Sequence, residues 1–156
     1  MGMKLNLSGA KETTFEPIPS GWYNATIYQV EAIETDNPDG NLPVGTPGIN
    51  VQFKVDYEGQ DRRVFTRYYI APDDYDKKDV MDSMMFTFLK SAGIPEDDLR
   101  KKSFDLDPED LQGREIRVKV GVRPANKEKG YDASNEVKAV KPVSEGDDDN
   151  LTAGLL

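Results

Sequence analysis

The stretch "RRVFTRYYI", residues 62–70, alternates positive charge with aromatic surface. Arg63, Phe65, Arg67 and Tyr69 have one parity, so in an extended chain they share one face. Single-stranded nucleic acid asks two things of a surface: cations that track phosphates and flat rings on which bases stack. Stacking contributes about 1–3 kcal/mol per base, so a few stacks and a few phosphate contacts give useful affinity. A second stretch, "REIRVKVGVR", sets Arg117, Lys119 and Arg123 opposite a face of Ile116, Val118, Val120 and Val122. The loop after it adds Lys127, Lys129 and Tyr131, and "GWYNATIYQV" adds Trp22, Tyr23 and Tyr28. This predicts phosphate contacts from the arginines and lysines, with Trp22, Phe65 and Tyr69 as stacking rings. The same residue types would also suit a solvated sheet over an aromatic core, and the residues alone leave both readings open.

Other chemistry finds little support. The 156 residues contain no cysteine and no histidine. That removes disulfides, thiolate zinc sites, histidine-ligated metals and His-dependent nucleophiles. No Gly-rich phosphate loop of either common type is present. "DDYDKKDVMD" clusters Asp73, Asp74, Asp76, Asp79 and Asp82, and clustered oxygens can hold Mg²⁺ or Ca²⁺. The spacing lacks the glycine and closing glutamate of an EF-hand. Carboxylates at a helix start are also what the helix dipole favours. A carboxylate-metal nuclease is therefore the minor alternative, and a non-enzymatic chain with no cofactor and no metal is expected.

The net charge of −9 argues against nucleic acid only when averaged over the chain. Residues 113–143 carry 8 basic and 4 acidic side chains, net +4, and residues 144–156 carry 4 acidic and none basic. A basic segment thus precedes an acidic tail. No apolar run is long enough to span a bilayer and the N-terminus lacks a signal-peptide core, so a cytoplasmic protein is expected.

The elements that must position these residues are mostly strands. Residues 21–35 read as a first strand whose apolar residues fall on both parities. That implies either a bulge or two partly covered faces. "DNPDGNLPVGTPG" is a long loop of turn residues, and long loops tend to be functional or mobile. Ile49, Val51, Phe53, Val55 and Tyr57 alternate with polar residues, a strand with one buried face. "EGQD" turns it into the third strand, whose core parity is Val64, Thr66, Tyr68 and Ile70. Val80, Met81, Met84, Met85, Phe88 and Leu89 recur at helical spacing. They predict a helix that plugs the core, with Asp79 as N-cap and Gly93 as stop. One short helical piece follows at "IPEDDLRKK" and another turn at "DLDPEDLQG", then two strands ending near Pro142. The expected fold is mainly β with one central helix, an OB-fold-like β-barrel of order β-β-β-α-β-β. Residues 1–14 are expected to be flexible, 15–143 folded, and 144–156 a disordered acidic tail.

Several segments together resemble a family of small tailed-phage early-region proteins long described as a domain of unknown function. They are "FEPIPSGWYNATI", "INVQFKV", "GQDRRVFTRYYI", "FDLDPEDLQGREIRVKVGV" and "NEVKAVKP", in that order over residues 15–143. The resemblance implies an OB-like single-stranded DNA-binding protein of phage replication or recombination, acting in the infected bacterial host. The alternative is a phage interaction module or inhibitor of a host protein that binds no DNA. The tail "SEGDDDNLTAGLL" suits the first reading. Asp147, Asp148 and Asp149 would compete weakly for the basic groove, while Leu155 and Leu156 would anchor a replication or recombination partner. A homo-oligomer is also compatible with the sequence.

Overall fold

The computed structural model describes residues 2–10, 16–101 and 104–143. Five strands form one antiparallel sheet: β1 (Gly21–Glu34), β2 (Pro47–Tyr57), β3 (Gln60–Tyr69), β4 (Glu115–Arg123) and β5 (Ser134–Lys141). Their order across the sheet is β3-β2-β1-β4-β5. β1 is long because it serves two partners. Its first half pairs with β4, from Gly21 opposite Val120 to Thr26 opposite Glu115. Its second half pairs with β2, from Ala25 opposite Val55 to Glu34 opposite Pro47. The sheet curls until its two edges, β3 and β5, come within 8 Å of each other. No ladder joins those edges, so this mainly-β, OB-like barrel is left open along one seam.

The two possible readings of β1 are now separated. Pairing with β2 shifts register between Ile27 and Gln29, so a bulge at Tyr28 reverses the parity. Ala25 and Ile27 point inward before it and Val30 after it. The bulge is pinned from behind, where Gly113 N donates to Ile27 O at 2.8 Å and Ile27 N to Arg114 O at 2.8 Å. β2 keeps the alternation of its sequence, burying Ile49, Val51, Phe53 and Val55.

Helix α1 (Lys78–Ser91), which follows β3 in the chain, packs against β3 and β5. Phe88 holds it there. Its ring stacks on Tyr68 at 4.7 Å and meets Phe53 edge-on at 6.0 Å. Losing a buried phenylalanine of this kind costs roughly 3–5 kcal/mol. The helix stops at Gly93, whose φ of 97° suits glycine, and Arg114 Nη1 donates to the freed Ala92 carbonyl at 3.2 Å. A short α2 (Glu96–Leu99) follows Pro95. A 3₁₀ turn at Pro108–Leu111, capped by Asp107, inserts the fully buried Leu111.

Three expectations need correction. Lys77, not Asp79, precedes the first helical residue, because the turn Tyr75–Lys78 starts the helix two residues earlier; Asp79 instead sits in the first turn. Ile70 lies beyond the end of β3 and is 54% exposed, so it is no core residue. The apolar face of α1 does not plug the core along its length. Phe88 and Leu89 are buried, Met85 packs against them, and Val80 and Met84 remain exposed. Toward its N-terminus the helix lies at the open seam, where Val80 and Met84 border a cleft between β3 and β5.

Candidate nucleic-acid interface

β3 presents its predicted stripe outward. Val64 and Tyr68 are buried, which turns Arg63, Phe65, Arg67 and Tyr69 to the other side. Across the sheet these residues face Lys54, Gln52, Asn50 and Gly48 of β2. Phe65 is 54% exposed, a large apolar ring open to solvent between two arginines. Tyr69 is half-buried and lies over Gly48. A Cβ at that glycine would sit 2.5 Å from both the Tyr69 ring and the Tyr68 carbonyl. Arg67 and Tyr69 also form one wall of a concavity of about 380 Å³ whose other walls are the end of β1 and residues 35–42 of the long loop. The neck of that loop is braced by Thr35, which takes Gly45 N on its carbonyl at 2.8 Å and Thr46 N on its hydroxyl at 3.0 Å.

Arg63 does something its sequence position did not suggest. Its Nε and Nη2 donate to the two carboxylate oxygens of Asp61 at 2.8 and 2.9 Å. Its guanidinium lies 3.7 Å from the centroid of Tyr28. The fork that would grip a phosphate is therefore already filled, and a guanidinium set over the Tyr28 ring remains. Hydrogen bonding to Arg63 holds the Asp61 carboxyl below its ordinary range, and the same bond raises the Arg63 pKa further. Lys54 shares Asp61 at 3.8 Å. Arg67 makes no ion pair among the described residues and is the uncommitted cation of this face.

Tyr28, named from sequence among the aromatics of the first strand but not among the stacking rings, is the added member. It reaches Arg63 because the bulge throws it outward, and the break in parity along β1 was the signal that could have located it. The outward Gln52 and Asn50 of β2 were missed; no aromatic or charged spacing marks them.

The β4 stripe behaves differently. Lys119 is exposed, but Arg117 is buried to 9% exposure, and its Nη1 donates to Asn24 Oδ1 at 2.7 Å. The expectation of an outward, phosphate-facing Arg117 is corrected. β4 lies between two strands, and their side chains close over it. Trp22 is likewise not an open ring. Lys141, itself buried, lays its ammonium 4.2 Å from the indole centroid. Val122 is 40% exposed, so the apolar face of β4 ends at Val120.

The remaining expected residues sit on the β4–β5 hairpin. Asn126 and Tyr131 exchange backbone hydrogen bonds at 2.9 Å, which closes the loop. Lys127 and Lys129 are exposed in the turn, and Tyr131 is 66% exposed. Arg123, Lys129 and Tyr131 border a concavity of about 550 Å³. The residues called from sequence thus fall into three groups: the β3 face, the covered Trp22–Arg117 patch beside Lys119, and the hairpin tip. Asp147, Asp148, Asp149, Leu155 and Leu156 lie outside the described residues.

The match to a known family spans both the β3 face and the hairpin. The chain belongs to the family described as "Protein of unknown function (DUF669)", which it matches over residues 5–149. None of the curated proteins compared with it matches. Among the described residues no three carboxylates converge in a way that could hold a metal ion, the Asp73–Asp82 cluster included. No helix among them is long and apolar enough to cross a membrane.

Proposed function

We propose that the protein binds single-stranded DNA on the outward face of β3, with little preference for sequence. The observation that carries this is Phe65, exposed between Arg63 and Arg67 on a strand whose other side is core. Bases stack on Phe65, on the Tyr28–Arg63 pair and on Tyr69, while Arg67 contacts phosphate. The polar Gln52 and Asn50 border the path without selecting a base. In OB-type barrels the face of the second and third strands, with the loop joining the first two, is a recurrent oligonucleotide site, which supports the same placement. Lys119, Arg123, Lys127, Lys129 and Tyr131 extend the surface for a longer strand. A role in phage replication or recombination, with the apolar tip Leu155 and Leu156 as a partner anchor, is part of the same proposal.

Titration of fluorescein-labelled oligo-dT, followed by anisotropy at low and high salt, tests the reading. Binding that weakens with salt and falls on Phe65→Ala is the expected result. No binding at low salt, or an affinity independent of salt, would overturn it.

A further inference from the structure

The open seam of the barrel is a second surface, and the chemistry of its lining is unlike that of the first. The β3 edge contributes Thr66 and Tyr68, and β5 contributes Val137 to Val140. Between them α1 contributes Val80, Ser83, Met84 and Thr87, and the open cleft holds about 520 Å³. Val80 is 58% and Met84 51% exposed, on a helix that buries Phe88 and Leu89 in the core. Two large apolar side chains at an i, i+4 spacing are thus left facing solvent over an apolar floor. Methionine at such a place adapts to varied apolar shapes.

The rim is acidic. Asp79 lines the cleft itself, and Asp74 and Asp76 lie just before the helix. None of the three makes an ion pair among the described residues. Lys78 is occupied by Asp82 at 3.3 Å and Asp73 at 3.7 Å, and Lys138 by Glu136 at 2.6 Å. Lys77 and Lys78 offset two of the five aspartates between Asp73 and Asp82, and the net negative rim that remains repels nucleic acid and attracts a cationic partner. An inserted strand does not fit between the edges. They already approach within 8 Å, whereas a strand between two neighbours needs roughly twice the 4.8 Å ladder spacing. An amphipathic helix lying across the mouth needs no such gap, since it only drops apolar side chains into a groove.

We propose that this cleft docks a basic amphipathic helical segment of a partner protein, its apolar side chains seated against Val80, Met84, Val137 and Val140 and its cations against Asp79 and its neighbours. The site is independent of the β3 face. Thr66 and Tyr68 point to the seam, Phe65 and Arg67 to the opposite side, so one strand serves two ligands without competition.

The probe is a synthetic fluorescein-labelled helical peptide with leucines at i, i+3, i+4 and i+7 and lysines elsewhere. Its control carries glutamates in place of the lysines. Both are titrated by anisotropy against the full chain and against Met84→Asp and Val80→Asp. Thermal melting checks that these exposed substitutions leave the fold intact. The lysine peptide is expected to bind, to lose about tenfold in affinity on Met84→Asp, to weaken on Asp79→Asn and with added salt, and to be unaffected by Phe65→Ala. The inference fails if the lysine peptide does not bind, if the glutamate peptide binds equally, or if Met84→Asp leaves binding unchanged in a protein that melts normally. It also fails if Phe65→Ala weakens the peptide as much as Met84→Asp, which would put it on the β3 face. Self-association abolished by Met84→Asp, read by sedimentation, would replace the peptide with a second copy as the occupant.

Discussion

β3 and β4 each set basic residues opposite a buried face, and they meet different fates. β3 carries its own rings, Phe65 and Tyr69, whereas the aromatic beside β4 is Trp22 of β1. On β3 the ring between the arginines stays open. On β4 the central arginine is buried against Asn24, and the neighbouring tryptophan is covered by Lys141. The difference is position. β3 is an edge with one neighbour, so nothing lies over its outward residues from the far side. β4 is flanked by β1 and β5, and a long cation from either flank can fold across it. A basic-aromatic stripe is a binding surface only where the sheet leaves it uncovered.

The contrast can be broken most directly at its two centres. Phe65→Ala should cost about 1–3 kcal/mol of oligo-dT affinity, the value of one stacked base, and leave the melting temperature unchanged. Arg117→Ala should do the reverse. It should cost roughly 1–3 kcal/mol of stability in urea unfolding, because Asn24 loses its charged partner, and leave DNA affinity nearly intact. If Arg117→Ala instead weakened DNA binding in a stable protein, the two strands would be equivalent after all.

A smaller effect separates the two arginines of β3. Arg67→Ala should flatten the salt dependence of oligo-dT binding by about 0.7 in log–log slope, as expected for one phosphate contact on a single strand. Arg63→Ala should change the slope less, since Asp61 holds its fork, yet still lower affinity through the lost stack on Tyr28. Arg63→Lys should not restore that affinity, because an ammonium has no flat face.

The smallest effect concerns Asp61. Its folded-state pKa lies below the ordinary carboxylate value, so its bond to Arg63 is present above that ordinary value and is lost as pH falls through the lowered one. Acid should therefore release the Arg63 fork and steepen the salt dependence of DNA binding. Asp61→Asn should steepen it at neutral pH and remove the acid response; a response that persisted in the variant would assign it elsewhere.

Much of this was legible in the chain itself. The strict alternation of Ile49 to Tyr57 fixed β2, and the change of period at Val80 announced a helix, because pleat and helix impose different repeats on whatever must be buried. The stripe Arg63 to Tyr69 followed from the same parity that buries Val64 and Tyr68. Even the bulge in β1 was foreshadowed by apolar residues on both parities, although which residue it would expel was not.

What the sequence could not decide was which side chains have neighbours. Whether Asp61 or a phosphate takes the Arg63 fork, whether Lys141 lies on Trp22, and whether Val80 and Met84 reach the core all depend on residues remote in the chain or on a gap between two edges. Local periodicity determined the faces, because it is set by backbone geometry one residue at a time. Exposure on those faces was decided only by the order of strands and the seam that stays open, because covering a face takes a second element, and the chain's local pattern holds no record of which one arrives.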